Sequence, residues 1–205
     1  MTRPLDALAQ GATPIVGRPL TALELANFGK YMNLLVKWQR SHRLVGSTDP
    51  MWIVEQLFLD SLLFLQLLPS PVRRLLDLGS GAGLPGLPIK IVWTDLEVTL
   101  VESRRRRVSF LSSAVRELGL DRTWVIESRG EDLPTELEGR FDAVVLRCAG
   151  SVEDLIPLAA RLIASGGLVI ASGPPRPKPL ALGRWVEIPG LKPGKTRQFA
   201  VYQRP

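Results

Sequence analysis

The run Asp77-Leu78-Gly79-Ser80-Gly81-Ala82-Gly83-Leu84-Pro85-Gly86 constrains this chain more than any other segment. It follows a short apolar strand, Arg74 to Leu78, and leads into a helical pattern, the setting that a nucleotide-binding loop needs. Glycine carries no Cβ, so the backbone can turn sharply and approach a ligand closely. No Gly-Lys-Ser/Thr follows at the offset of a Walker A loop. Two registers remain. Gly81, Gly83 and Gly86 fit the dinucleotide fingerprint G-x-G-x-x-G. Gly79, Gly81 and Gly83 fit G-x-G-x-G, with Asp77 just ahead of the first glycine. A carboxylate at a strand tip repels a pyrophosphate and attracts a ligand that carries an ammonium and a sulfonium, as S-adenosylmethionine does. A tight strand-to-helix turn without a ligand is the third possibility. Glu102 ends the next strand, 23 positions after Gly79. An acid there can accept hydrogen bonds from both ribose hydroxyls in either cofactor register, or simply face solvent.

Around this loop the pattern alternates. Glu97–Glu102, Trp124–Ile126, Phe141–Leu146 and Leu168–Ala171 are predicted strands. Val108, Leu111, Val115 and Leu118 recur at helical steps up to Gly119, and Leu155–Ile163 is predicted helical, closing at Gly166-Gly167. This alternation implies βαβ units and a mostly parallel sheet covered on both faces, an α/β fold. Trp185 to Tyr202 reads as two antiparallel strands around a Pro-Gly turn. Ahead of the loop, residues 1–20 are rich in Gly, Pro and Thr and read as a flexible arm. Residues 21–70 form a helical extension. Leu25, Phe28, Met32 and Leu35, with Tyr31, Leu34 and Trp38 beside them, give its first helix an apolar stripe. Its second helix starts at Asp49-Pro50 and runs to about Leu68. Residues 71–205 are expected to form the remaining domain, ending in a basic β-hairpin, all in one compact unit.

Composition narrows the chemistry. A chain of 205 residues with 45% apolar content can bury a real core in one domain. One cysteine, Cys148, excludes a disulfide scaffold and a multi-cysteine metal site. One histidine, His42, removes His-rich zinc chemistry and argues against a Ser-His-Asp triad, so no metal is expected. Cys148 reads as a small buried hydrophobe and His42 as a polar residue at a helix end. The N-terminus lacks the apolar core of a signal peptide. The most apolar run, Leu57–Leu68, is interrupted by polar residues and shorter than the roughly 20 needed to span a bilayer. A cytoplasmic protein with no membrane partner is expected. The formal charge is +6, and residues 173–205 alone hold seven basic residues and one acidic residue. The charge excess therefore sits in the tail, where Lys192, Lys195 and Arg197 are candidates for salt-sensitive phosphate contacts. Arg104, Arg105, Arg106 and Arg107 open a helix, where cations are unfavourable. They read as phosphate contacts or a cap over the cofactor site, or else as a solvated face.

The run from Asp77 to Pro88 closely resembles the ribosomal RNA small-subunit methyltransferase G family (RsmG, or GidB), which methylates guanine N7 in 16S ribosomal RNA. So do Leu59-Asp60-Ser61, the block from Thr99 to Leu111, Ser128-Arg129-Gly130-Glu131-Asp132, and Phe141-Asp142 with Arg147. Order and spacing match over roughly residues 30–172. The resemblance implies a class I S-adenosylmethionine-dependent methyltransferase: a Rossmann-like, seven-stranded, mostly parallel sheet with an N-terminal helical extension. It implies that Asp77, Gly79, Gly81, Gly83 and Leu84 form the contact loop for methionine and adenosine. Glu102, with Ser103, would hold the ribose, and Gly130 and Glu131 would flank the adenine. Arg147 would lie at the edge of the cofactor and active site, as the catalytic candidate or as one half of a salt bridge, for example to Asp77. The partner would be ribosomal RNA or the small ribosomal subunit, met by a monomer. Guanine N7 carries a free lone pair, so its attack on a sulfonium methyl needs alignment and no general base, which suits a chain poor in bases. The chain departs from the family at Arg43-Leu44-Val45 (Asn-Leu-Thr in the family), at Gln56-Leu57 (Arg-His) and at Ser172 (Lys). These departures bear on the RNA-facing side. They leave room for another RNA or small-molecule substrate, or for a non-catalytic RNA- or ribosome-binding protein. An NAD-dependent oxidoreductase is disfavoured by Asp77 and by a loop that starts only after about 70 residues, most of them read as helical.

Overall fold

Leu75-Leu76, Val144-Val145 and Val169-Ile170 are pairs of adjacent apolar residues, and a strand sends such neighbours to opposite faces. In the computed structural model Leu75, Val145 and Ile170 join one core while Leu76, Val144 and Val169 join another. The structure describes residues 3–147 and 150–205, without the side chains of Ser41 and His42. The readings of Cys148 and of the His42 side chain lie outside the described residues. The strands are β1 (Arg74–Leu78), β2 (Glu97–Glu102), β3 (Thr123–Glu127), β4 (Phe141–Leu146), β5 (Ile163–Ser172), β6 (Arg184–Pro189) and β7 (Thr196–Gln203). They form one sheet in the order β3-β2-β1-β4-β5-β7-β6. β1 to β5 are parallel, and β7 is antiparallel to both β5 and β6. The order reverses between β1 and β4, and ligands of such sheets bind at the strands' carboxyl ends beside that point.

Helices cover both faces. α1 (Pro4–Val16) and α2 (Ala22–His42) come first. α3 is one continuous helical rod: Pro50–Trp52, a π-helical stretch Ile53–Leu59, Asp60–Leu62 and a closing 3-10 turn Leu63–Gln66. α4 (Gly86–Val92), α5 (Arg105–Leu118) and α6 (Val152–Ala160) belong to the sheet units. Phe28, Tyr31, Ile53, Phe58, Leu87 and Phe110 pack with the first core, and Ile156 and Ala159 with the second. α2 begins in a capping box: Glu24 N–H donates to Thr21 Oγ1 (3.2 Å) and Thr21 N–H to Glu24 Oε2 (2.7 Å). α5 ends at Gly119 in the left-handed conformation (φ 61°).

Two segments differ from expectation. Residues 4–16 form a helix where the sequence reads as a flexible arm. Pro4 sits in its first turn, Gly17 closes it at φ 78°, and Leu8 and Ala12 are fully buried. Gly11, taken as a loop signal, instead lets α1 lie close against Leu59: a Cβ there would lie 2.6 Å from Leu59 Cδ1, and that side chain would have to shift. The second difference is the boundary near residue 160. α6 runs from Val152 to Ala160, and the chain becomes strand from Ile163, which pairs with Phe141 before a register shift to Ala143↔Leu168. Gly166, with φ 76°, lies within that irregularity rather than at a helix end.

Candidate active site

The loop after β1 is built on glycine geometry. Gly79, Gly81 and Gly83 have φ of 76°, 60° and 88°. Gly79 and Ser80 both donate their N–H to Val101 O (2.9 Å each), which pins the loop to β2. A Cβ on Gly83 would lie 2.4 Å from Leu87 Cδ1, so that position needs glycine for space as well as for φ.

Glu102 closes the loop from the far side. Its Oε2 accepts from Gly81 N–H (3.0 Å), its Oε1 accepts from Arg104 N–H (2.8 Å), and Arg107 Nη1 lies 3.7 Å from Oε2. The side chain is 6% exposed. A negative charge thus stands at the start of α5, which offsets the cluster of cations there. Beyond it lies a cavity of about 530 Å³ at the carboxyl ends of β1, β2 and β3. Of the predicted site residues, Gly79, Glu102, Ser103, Gly130, Glu131, Arg104 and Arg107 line it. A Cβ on Gly130 would lie 2.8 Å from Leu158 Cδ2 and 3.1 Å from Leu78 Cδ1, so only glycine keeps this floor flat without repacking. Val101, Ser128, Arg129, Leu155 and Leu158 also line the cavity and carry no assignment in the sequence reading. Ser128 and Arg129 were visible as neighbours of Gly130. The helical spacing of Leu155 and Leu158 was visible too, but not the face that α6 turns to the cleft.

Asp77 sits elsewhere. It is fully buried and outside the lining of the cavity, with Oδ2 accepting from Gly86 N–H (2.8 Å). It fixes where α4 starts relative to β1. Burial raises its carboxyl to about 7, against the pull of the Gly86 N–H and of Arg147. Gly81, Gly83 and Leu84 likewise shape the loop rather than line the cavity.

Arg147 lines none of the cavities described here. Its Nη2 is 3.1 Å from Asp60 Oδ2, its Nη1 donates to Ser61 Oγ (3.3 Å), and its guanidinium also reaches Gln56 O. Its salt bridge is therefore to Asp60 on α3 and not to Asp77. Arg197, expected to be free for phosphate, grips the same carboxylate at both oxygens (2.8 and 3.1 Å). Of the other tail cations, Lys192 is exposed, 3.9 Å from Glu55, and Lys195 is exposed at a groove beside α3. Arg105 and Arg106 point to solvent. A second cavity of about 560 Å³ opens at the ends of β4 and β5, with Arg176, Lys178 and Arg197 on its wall. Leu155 lines both cavities, so they are neighbours. Among the described residues no helix is long and apolar enough to cross a membrane. Among them no group of three or more His, Cys, Asp or Glu side chains could hold a metal ion.

A parallel sheet β3-β2-β1-β4-β5 with antiparallel β7 set between β5 and β6, and a glycine loop after β1, has the architecture of a class I methyltransferase. A methyltransferase from Aquifex aeolicus, described as SAM-dependent, shares that fold with a TM-score of 0.56 at 17% identity, over 77% of this chain and 94% of its own. The family model described as rRNA small subunit methyltransferase G matches residues 24–173. The ribosomal RNA small subunit methyltransferase G of Sorangium cellulosum is 40% identical over 175 residues, 83% of this chain and 73% of the relative. That of Syntrophus aciditrophicus is 38% identical over 155 residues, 74% of this chain and 64% of the relative. The chain belongs to the rRNA small subunit methyltransferase G family. Membership bears out the resemblance, the fold class and S-adenosylmethionine as cofactor, and sets the dinucleotide register aside.

Proposed function

We propose that this chain transfers the methyl group of S-adenosylmethionine to guanine N7 in 16S ribosomal RNA, as a cytoplasmic enzyme. The observation that carries the reading is the cleft at β1–β3, where Gly81 N–H and Glu102 face each other across the loop. The residues fit the cofactor. The Glu102 carboxylate is placed to accept from ribose hydroxyls, Ser103 stands beside it, and Gly130 leaves a flat slot flanked by Glu131 for a purine. The bound cofactor supplies a sulfonium-activated methyl. The chain's own task is then alignment: it needs no general base, because N7 is already a lone-pair donor. The base has to leave its stack to reach the methyl. Arg147, bound to Asp60 and Ser61, acts by holding the end of β4 rather than by touching the reacting atoms. The exposed Arg104, Arg105, Arg106, Lys192 and Lys195 provide phosphate contacts, with the small ribosomal subunit or its RNA as the partner.

Glu102→Ala tests the cleft. Calorimetry is expected to show about 30-fold weaker S-adenosylmethionine binding, the loss of hydrogen bonds to a charged acceptor. Unchanged affinity would remove this cleft as the cofactor site. The substrate is tested on ribosomal RNA from a deletion strain, by primer extension after borohydride and aniline treatment. The expected result is loss of one N7-methylguanine cleavage signal, and a normal pattern overturns the RNA reading.

A further inference from the structure

Tyr31 belongs to the helical extension, yet it reaches the cofactor loop. Its ring is fully buried, and its hydroxyl donates to Ala82 O (2.5 Å). Ala82 stands between Gly81 and Gly83, both in the left-handed region. Its carbonyl meets Tyr31 of α2. The preceding amide, Gly81 N–H, is the one held by Glu102. The ring of Tyr31 stacks on Phe58 of α3 (5.2 Å between centroids) and on Phe110 of α5 (6.5 Å). α5 carries Arg107, which faces Glu102. Tyr31 therefore ties down the loop behind the cleft through its hydroxyl and packs against α5, which carries Arg107 of the cleft wall, through its ring.

We propose that Tyr31 is a positioning residue for the cofactor. By holding Ala82 O, it fixes the 79–83 loop in the one conformation that presents Gly81 N–H to Glu102. The N-terminal extension is then part of the cofactor site. This rests on the cleft being the S-adenosylmethionine site. Removing the hydroxyl leaves a buried carbonyl unpaired, and a loop freed of that tie moves its amides away from the acid as the carbonyl seeks another donor.

Tyr31→Phe keeps the ring stack and removes only the hydrogen bond. Calorimetry with S-adenosylmethionine is expected to show about tenfold weaker binding, with the Michaelis constant for RNA unchanged. Phe28→Leu is the control. Phe28 is equally buried and packs at a tilt on Phe58 (5.1 Å between centroids), and its side chain has no group that could hydrogen-bond the loop. It is expected to lower the melting temperature at least as much while leaving cofactor affinity intact. Equal affinity of Tyr31→Phe and wild type, or an equal weakening in Phe28→Leu, overturns the proposal. Amide exchange at Gly81 gives a second measurement, expected to be faster in Tyr31→Phe; unchanged exchange counts against the tie. A wild type that does not bind S-adenosylmethionine removes the cofactor reading itself, and this role with it.

Discussion

The two sides of the sheet's reversal point end in cavities of similar size, about 530 and 560 Å³, and both are walled by arginine. They are held together in different ways. At the ends of β1 to β3 the organising acid is Glu102, whose hydrogen-bond partners are two backbone amides, those of Gly81 and Arg104. At the ends of β4 and β5 the organising acid is Asp60, whose partners are the side chains of Arg147 and Arg197. Arg197 is 137 positions away in the chain. The first side is fixed by local backbone geometry and glycine φ. The second depends on three side chains, from α3, from the residue after β4 and from β7, meeting in space.

That contrast can be broken most sharply at Asp60. Asp60→Ala leaves two largely buried guanidiniums facing each other, and loss of one partner of such a pair costs about 3–5 kcal/mol. Urea unfolding is expected to show a loss of that size. A loss below about 1 kcal/mol would mean that the three charges do not hold the second side together.

The next effect belongs to the first side and depends on pH. Asp77 is raised to about 7 in the fold from an ordinary value of 3.8, so the folded chain binds its proton more tightly than the unfolded one. Stability from this group is fully present below its ordinary value and is lost as pH rises to about 7. Between pH 5 and 8, wild type is expected to lose about 2–3 kcal/mol relative to Asp77→Asn. Parallel pH profiles for the two proteins would show that the carboxyl titrates normally.

Tail charge gives the smallest effect per residue. Lys192→Ala and Lys195→Ala together are expected to weaken RNA binding a few-fold and to reduce its salt dependence by roughly 0.7–0.9 per lost contact, with cofactor affinity unchanged. Equal weakening of cofactor binding would merge the two sides into one site. Arg197 does not belong in that test, because its loss also unpairs Asp60.

The same contrast explains what could be read in advance. The loop and Glu102 stood out because glycine spacing after a strand and an acid at the next strand's end specify backbone geometry directly, whereas Gly130 came only with the family resemblance. Asp77 was legible as important but not in its direction. Whether a strand-tip acid faces a ligand or a helix start depends on which side of the sheet its position falls, and here it meets Gly86. Arg197 looked like surface charge because nothing near it in sequence announces Asp60. α1 was missed because Gly11 and Pro14 suggested a loop, while the reason for Gly11 is a contact with Leu59 on another helix.

The place of β7 between β5 and β6 has a consequence in time. A chain emerges from the ribosome N-terminal end first. β1 to β4 and their helices are all synthesised before residue 163, so the cofactor side can assemble early. β5 and β6 then wait with open edges, exposed to wrong pairing, until residues 196–203 arrive to join them. Asp60 and Arg147 wait as well, one guanidinium short, until Arg197 arrives with the same strand. A premature stop shortly before Thr196 would therefore yield a chain with its glycine loop intact, an adhesive sheet edge and an unfinished charge cluster.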